Sequence, residues 1–454
     1  MILQTKNPTT EAILASYTTL DKEHTYSLIE KGYQDYLAWK EQSFSQRAEL
    51  MLSLAKILRK KKDKLALAMA SEMGKPITQG QTEIEKCAWV CEHYAKEAES
   101  YLKPEMIQTE MQKTCVYHLP IGLILGIMPW NYPFWQVFRA AIPNLMAGNG
   151  FVLKHAPIVL GIGNILADLF IEAGFPKFIF QHVILDDSMA AKVIAHPHIA
   201  GVTFTGSAKV GRIVGSHASS ALKRVVMELG GSDPYLVLPD ADLELAAQNI
   251  VTSRLNNCGQ VCIAAKRVIT VGDSYESLLE KLKVLAGRYC MDDPTQLSTN
   301  LGPMARLDLR ETLEKQVQKS IDMGAHLIMG GYIPNRPGFY YPPTILTKVL
   351  PGMPAFEEEL FGPVITLIEA ENEIEAIQLA NATSYGLGAA VFTSDLAKGE
   401  RIAKELEAGT CCVNAFVSSD PRVPFGGIKQ SGVGRELGRE GILEFVNIKT
   451  ISIK

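Results

Sequence analysis

From Gln46 to Ser71 apolar residues recur at three- and four-residue steps, at Leu50, Leu54, Ile57, Leu58, Leu65 and Met69, which predicts an amphipathic helix. A second helical stretch runs from Gln79 to Ser100. Beyond Pro120 the pattern changes. Apolar runs at 121–128, 150–154, 178–185, 200–206 and 224–229 alternate with helical periodicity near 158–173, 188–195 and 207–220. The first of these helices is closed by Gly174 and Pro176. Strand–helix–strand repetition at this spacing predicts a parallel sheet covered on both faces, with ligands at the carboxyl ends of its strands. A second α/β unit follows over 231–434, helix-like at 243–255, 305–322, 373–382 and 396–407 and strand-like at 266–271, 387–393 and 410–413. After Phe445 apolar and polar residues alternate, the pattern of an edge strand. Such a strand needs a partner edge, and another subunit is a candidate to supply it.

Composition narrows the classes. The 454 residues amount to roughly three domain-sized units. Lys plus Arg total 45 against 49 Asp plus Glu, so there is no polybasic footprint and nucleic acid is not expected as a partner. Eight cysteines are too sparse for a disulfide scaffold. The longest apolar run, IGLILGIMPW from Ile121, is well short of the ~18 residues a membrane span needs. No secretory pattern opens the sequence. A soluble protein of a reducing compartment, the cytoplasm, is expected. The lysines at 60, 61, 62 and 64 read as a solvated helix face. Cys87, Cys91 and His93 are too few for a metal centre and read as core residues; no metal is expected.

Six pieces carry chemistry. Cys262, in NNCGQVCIAAKR, falls in a loop between a helix and a strand, with Gly259 and Gln260 keeping the approach open. That is a better place for a reactive thiol than a helix face. Cys258 reads as a neighbouring thiol with no required role. Glu228, in RVVMELGGSDP, ends an apolar strand, where desolvation raises a carboxyl pKa and makes a usable base; the plainer reading is a turn carboxylate. Asn131 in PWNYP is held between two prolines and two aromatics, the setting of a preorganised donor to an oxyanion, or simply of a turn. FTGSAKVG (204–211) places a glycine turn before a helix start, which favours a phosphate, although it is not GxGxxG. EEELFGPV (357–364) puts acids before an apolar strand, and PFGGIKQSGVGRELG (424–438) gives tight backbone passage.

The order PWNYP, FTGS, MELGG, GQVC, ELFGP, PFGG resembles the aldehyde dehydrogenase superfamily over essentially the whole chain. KHAP (154–157), ELGGSDP, LGPMAR (301–306) and YYPPTIL (340–346) resemble its shorter bacterial succinate-semialdehyde dehydrogenases. The resemblance implies a Rossmann-like cofactor domain (1–102 and 120–230), an α/β catalytic domain (231–439) and a β oligomerisation arm (103–119 and 440–454), assembled as a homodimer or homotetramer. It implies that Cys262 attacks the aldehyde to give a thiohemiacetal and, after hydride transfer to the nicotinamide, a thioester. Glu228 then activates water, and Asn131 with the Cys262 N–H forms the oxyanion hole. A free thiol titrates near pH ~8.5, and Glu228 and the bound coenzyme are expected to assist ionisation. Trp130, Lys154, Gly206, Ser207, Glu359 and Phe361 are the implied cofactor contacts.

One departure bears on the coenzyme. The family commonly has K-P-[SA]-E where this chain has Lys154-His155-Ala156-Pro157. The missing Glu removes a ribose acceptor and also a charge that repels a 2′-phosphate. Use of both NAD and NADP is therefore expected. For the far carboxylate of a semialdehyde, Arg139 matches an Arg of the resembled enzymes; the plainer reading pairs it with a structural acid. The position of their second Arg is Asn256, so Arg254, Arg422 and Ser419 are further candidates. Rival readings are a glutarate-semialdehyde or general aliphatic aldehyde dehydrogenase, a thiol hydrolase without a redox step, and a catalytically silent homologue.

Overall fold

Ser43 caps the first predicted helix reciprocally: Gln46 N–H donates to Ser43 Oγ over 3.2 Å and Ser43 N–H donates to the Gln46 side chain over 2.8 Å. In the computed structural model, which describes residues 1–454, the expected helix over 46–71 is two helices, Phe44–Lys60 and Lys62–Met73. They break at Lys61, with φ −101° and ψ 7°. One non-helical residue leaves the three/four spacing almost intact, so periodicity passes through the break. The basic run is not uniformly solvated either. Lys61 pairs with Glu172, and Lys62 lies 3.2 Å from Glu85.

A six-stranded sheet runs in the order Gly432–Val433, Arg224–Glu228, Ile199–Thr205, Leu123–Met128, Gly150–His155, Phe180–His182. All its pairings are parallel except the first, which is antiparallel. The expected strand over 178–185 shrinks to three residues, because the chain must leave the sheet before Asp186 caps the helix Asp187–Ile194. A seven-stranded sheet runs His326–Met329, Thr344–Thr347, Val364–Ala370, Arg267–Val271, Pro234–Val237, Gly388–Phe392, Thr410–Val413. It too is parallel apart from its first pair. A hairpin of Ile2–Lys6 and Ile13–Thr18 was not expected; of its residues only Thr5 is buried, so it has little apolar signature.

Each large sheet has its own core. The second core runs from Tyr235 to Val417. The first gathers Ile29 to Leu229, touches the second half at Ala305 and Leu387, and then takes in Phe425, Leu437, Ile442, Phe445 and Val446. The chain thus returns to the first sheet after Val417, ahead of residue 439 where the sequence reading ends the catalytic domain. The helix Ile77–Tyr101 packs into the first core and buries Cys87 and Cys91 there. No helix is long and apolar enough to cross a membrane. The strand Val446–Ile453 finds its partner edge within this chain: it pairs antiparallel with Lys113–Pro120 over eight residues, and Glu105–Ile107 completes a three-stranded arm. The outer edge of Val446–Ile453 carries no strand.

Candidate active site

Cys262 lies between the short turn Asn256–Gly259 and the strand Arg267–Val271. The approach uses three successive left-handed residues, Asn257 (φ 51°), Cys258 (φ 55°) and Gly259 (φ 69°). Asn adopts this region readily and Cys does not, so Cys258 is strained. Only glycine fits the third position, since a Cβ there would lie 2.1 Å from Gly362 O. The nucleophile loop and the ELFGP loop therefore meet backbone to backbone. Lys266, which the sequence reading missed, ties them together. Its buried Nζ donates to Val261 O over 2.9 Å and to Cys262 O over 2.5 Å, and lies 3.2 Å from Glu359 Oε1.

Cys262 lines a cavity of about 340 Å³ together with Lys86, Tyr132, Trp135, Arg139, Asn256 and Ser419. Its backbone N–H donates to no group of the chain. Burial pushes the thiol up to about 11, against the nearby Arg139 and Lys266 and with the help of Glu359 and Asp233. The resting group is a thiol, further from ionisation than the sequence suggested. Cys258 is buried outside the cavity and pushed up to about 12 by burial.

Asn131 is buried beside this loop. Its Nδ2 donates to Gln260 O over 3.0 Å, and its backbone carbonyl accepts from Asn257 Nδ2 over 2.7 Å. An amide NH₂ carries two protons, so one stays free. The PWNYP loop is held by residues that sequence reasoning did not single out. Glu83 Oε1 accepts from the N–H groups of Phe134 and Trp135, each over 2.9 Å. Glu83 also pairs with the buried Lys75, which lies 3.6 Å from the Tyr132 ring centroid. His155 anchors the loop from the sheet side. Ala156 N–H donates to its Nδ1 over 3.0 Å, so the proton assigned to Nε2 donates to Pro133 O over 2.9 Å.

This environment has a consequence for pH. Burial lowers His155 from 6.5 to about 4. In the window between those values the unfolded chain binds the extra proton, so stability is lost as pH falls. From pH 7 to pH 5 the contribution of His155 should fall by about 2 kcal/mol. Urea midpoints of wild type and His155→Gln at the two pH values check this; the variant should lose that share of the pH dependence. An identical pH dependence in both proteins would remove His155 as its source.

Glu228 ends the strand Arg224–Glu228 and is 2% exposed. Neither carboxylate oxygen has a hydrogen-bond partner. Burial raises its pKa well above the carboxylate range, against the pull of Arg139. It is absent from the lining of the Cys262 cavity and packs against Gly426 of PFGG (φ 155°), where a Cβ would lie 2.7 Å from Glu228 Oε1. Its backbone carbonyl accepts from Gly206 N–H over 3.0 Å, which joins the base to the glycine turn.

The arginines divide. Arg139 lines the cavity but forms a buried ion pair with Glu436. Arg254 must be withdrawn as a substrate contact: it is fully buried off the cavity and donates to the backbone carbonyls of Val364, Leu360 and Gly259. A guanidinium so placed braces the ELFGP loop. Arg422 is exposed and pairs with Asp420 over 2.6 Å, also off the cavity. Ser419 lines the cavity, as does Asn256, whose Nδ2 donates to Tyr132 OH over 2.9 Å.

A second cluster sits at the carboxyl ends of the first sheet. Trp130 follows the strand Leu123–Met128, Lys154 is buried near the end of Gly150–His155, and Gly206 and Ser207 follow Ile199–Thr205. Ser207 caps the helix Ala208–Ser220, with its side chain accepting from Val210 N. A buried ammonium and a helix N-terminus suit an anionic, phosphate-bearing group. On the nucleophile side Glu359 accepts from Gly231 N over 3.1 Å and keeps lone pairs for hydroxyls, while Trp130 and Phe361 meet edge to face at 5.9 Å. The structure adds Asp187, exposed and 3.5 Å from Lys154 Nζ.

Comparison with known proteins agrees with this arrangement. A family model described as "Aldehyde dehydrogenase family" matches residues 2–451. The chain is 43% identical to the succinate semialdehyde dehydrogenase [NAD(P)+] Sad of Escherichia coli K12, covering 95% of this chain and 93% of that one. It is 41% identical, over 100% of both chains, to a probable succinate-semialdehyde dehydrogenase [NADP(+)] of Synechocystis. Among solved structures, succinic semialdehyde dehydrogenase from Streptococcus pyogenes in complex with NADP+ superposes with a TM-score of 0.97 at 32% identity, with 99% of each chain covered. With the thiol, amide and carboxylate in place and the match running almost the full length, the chain belongs to the aldehyde dehydrogenase family.

Proposed function

We propose that the protein oxidises succinate semialdehyde to succinate with NAD or NADP, water being the final acyl acceptor. The observation that carries this reading is Cys262: a cavity-lining thiol whose own N–H has no internal partner, beside the free amide proton of Asn131. The Cys262 thiol gives up its proton to solvent and its sulfur adds to the aldehyde carbon, while those two N–H groups take the oxyanion. The coenzyme, when bound, supplies the hydride acceptor. Lys154, Gly206 and Ser207 hold its adenosine and pyrophosphate, and Trp130, Glu359 and Phe361 its nicotinamide end. Glu228 takes the proton of the attacking water, which its raised pKa suits it to do. Arg139 and Ser419 face the substrate. The relatives named above as succinate-semialdehyde dehydrogenases support the choice of aldehyde.

The protein works in the cytoplasm, where its eight free cysteines stay reduced. It works as a homodimer or homotetramer joined through the arm of 103–119 and 440–454; the open edge of Val446–Ile453, seven of its eight residues exposed, supports this.

A panel of aldehydes differing in length and terminal charge, assayed with both coenzymes, tests the proposal. The highest kcat/KM is expected for succinate semialdehyde. Both coenzymes are expected to serve, within about a thousandfold of each other, or roughly 4 kcal/mol. A larger preference for NAD would remove the argument from the missing Glu after Lys154. No coenzyme reduction with any aldehyde would remove the proposal.

A further inference from the structure

A peptide N–H that serves an oxyanion belongs to the same amide as a carbonyl, and whatever binds that carbonyl changes the strength of the N–H. The free N–H of Cys262 shares its amide with Val261 O. That oxygen accepts from Ala264 N–H over 3.3 Å and from Lys266 Nζ over 2.9 Å. Lys266 is 2% exposed. Its ammonium has three protons and three oxygens around it: Val261 O, Cys262 O at 2.5 Å and Glu359 Oε1 at 3.2 Å. It is absent from the lining of the Cys262 cavity, so whatever it does there passes through another group.

We infer that Lys266 is a positioning residue for the oxyanion: by binding Val261 O it polarises the Val261–Cys262 amide and makes the Cys262 N–H a stronger donor. This rests on the reading of Cys262 as a nucleophile toward a carbonyl group. A hydrogen bond from an ionised donor is about twice as strong as a neutral one. Electron density drawn to the carbonyl oxygen leaves the nitrogen of the same amide, and with it the N–H, more positive. Lys266 also binds Cys262 O, so one side chain clamps the amides on both sides of the Cys262 Cα. The partner donor, Asn131 Nδ2, has only the neutral Gln260 O to orient it. Of the two, the backbone donor is the one strengthened by a charge.

Lys266 acts on the sulfur as well. With Arg139 it opposes the rise of the thiol pKa that burial causes and that Glu359 and Asp233 reinforce. A test therefore has to separate ionisation of the thiol from stabilisation of the oxyanion.

Two reagents do so on the full chain, without coenzyme or aldehyde. With p-nitrophenyl acetate the Cys262 thiolate forms a sulfur–carbon bond through an oxyanion, the carbon–oxygen bond breaks and p-nitrophenolate leaves. With iodoacetamide the same thiolate displaces iodide and no oxyanion forms. Absorbance follows the first and mass spectrometry of the Cys262 peptide the second. The ratio of the two rate constants at one pH cancels the thiolate fraction, which both reactions share. Lys266→Met should lower the ratio of acylation to alkylation by about 10-fold, and Lys266→Arg should restore most of it. Lys266→Gln keeps a donor without the charge and should fall between them; it decides the matter where Lys266→Met fails to fold. A ratio unchanged in the neutral variants, even with both rates reduced, would make Lys266 a brace of the loop and overturn the inference. A ratio as low in Lys266→Arg as in Lys266→Met would overturn it too, because charge would not be what counts. A wild type that releases no p-nitrophenolate from Cys262 would overturn the reading of Cys262 itself.

Discussion

Cys262→Ser should lower kcat/KM for the semialdehyde by about 10⁴-fold or more, with the fold and coenzyme affinity retained. The substitution removes one polarisable sulfur and fits the space it leaves. The hydroxyl is a far weaker acid than the thiol, and the site does little to ionise either group: burial already pushes the thiol up to about 11 although Arg139 and Lys266 oppose it. A serine in the same place cannot reach the anionic form at neutral pH. For the same reason the wild-type rate should climb as pH rises from 6 to 9 wherever thiol attack limits it. The check is steady-state coenzyme reduction together with mass spectrometry of enzyme quenched during turnover, which should show an acyl adduct on wild type and none on the variant. A Cys262→Ser enzyme running at the parental rate would end the covalent account.

The second large effect is expected at Glu228. Glu228→Gln keeps size and shape beside Gly426 and removes the ability to accept a proton. Steady-state turnover should fall between about 10²- and 10⁴-fold. If the carboxylate acts on water, one equivalent of reduced coenzyme should still form rapidly per active site before the rate collapses. Rapid-mixing absorbance measures that burst. Loss of the burst along with turnover would assign Glu228 to the thiol proton instead, and an unchanged steady state would remove it from the chemistry. The carboxylate stands off the cavity with neither oxygen partnered, so in the water-activating step it must turn from Gly426 toward Cys262. Glu228 is paired to Gly432 on one side and to Thr205 on the other, which leaves the side chain, and not the backbone, as the moving part.

The first sheet was legible because its strands are continuous apolar runs, and buried parallel strands read that way: four of the five expected runs match strands to within about two residues. The N-terminal hairpin was not, because only one of its strand residues is buried and the apolar contrast is weak. At the site, Cys262, Glu228 and Asn131 stand in motifs whose local backbone is unusual, and this made them visible. Glu83, Lys75, Lys86 and Lys266 are ordinary charged residues in ordinary helical or loop sequence. Their importance comes from what lies across the cleft, Phe134 N for Glu83, Ser419 for Lys86 and Cys262 O for Lys266, and one-dimensional spacing carries none of that. Arg254 failed for the mirror reason. Its place two residues before Asn256 suggested a substitute cation, but two residues of helix turn the side chain by about 200°, into the core, where backbone carbonyls hold it.

The return of the chain to the first sheet after Val417 also constrains how the molecule assembles. The segment that walls in Glu228, with Phe425, Gly426, the Gly432–Val433 strand and Glu436, is made only after the whole of the second core. The second core can condense from consecutive sequence, whereas the first must hold its place until distant residues arrive, a closure of high sequence separation. Early in refolding the thiol's half should therefore be protected from hydrogen exchange while the base still stands in water, and catalytic competence should lag behind most of the secondary structure.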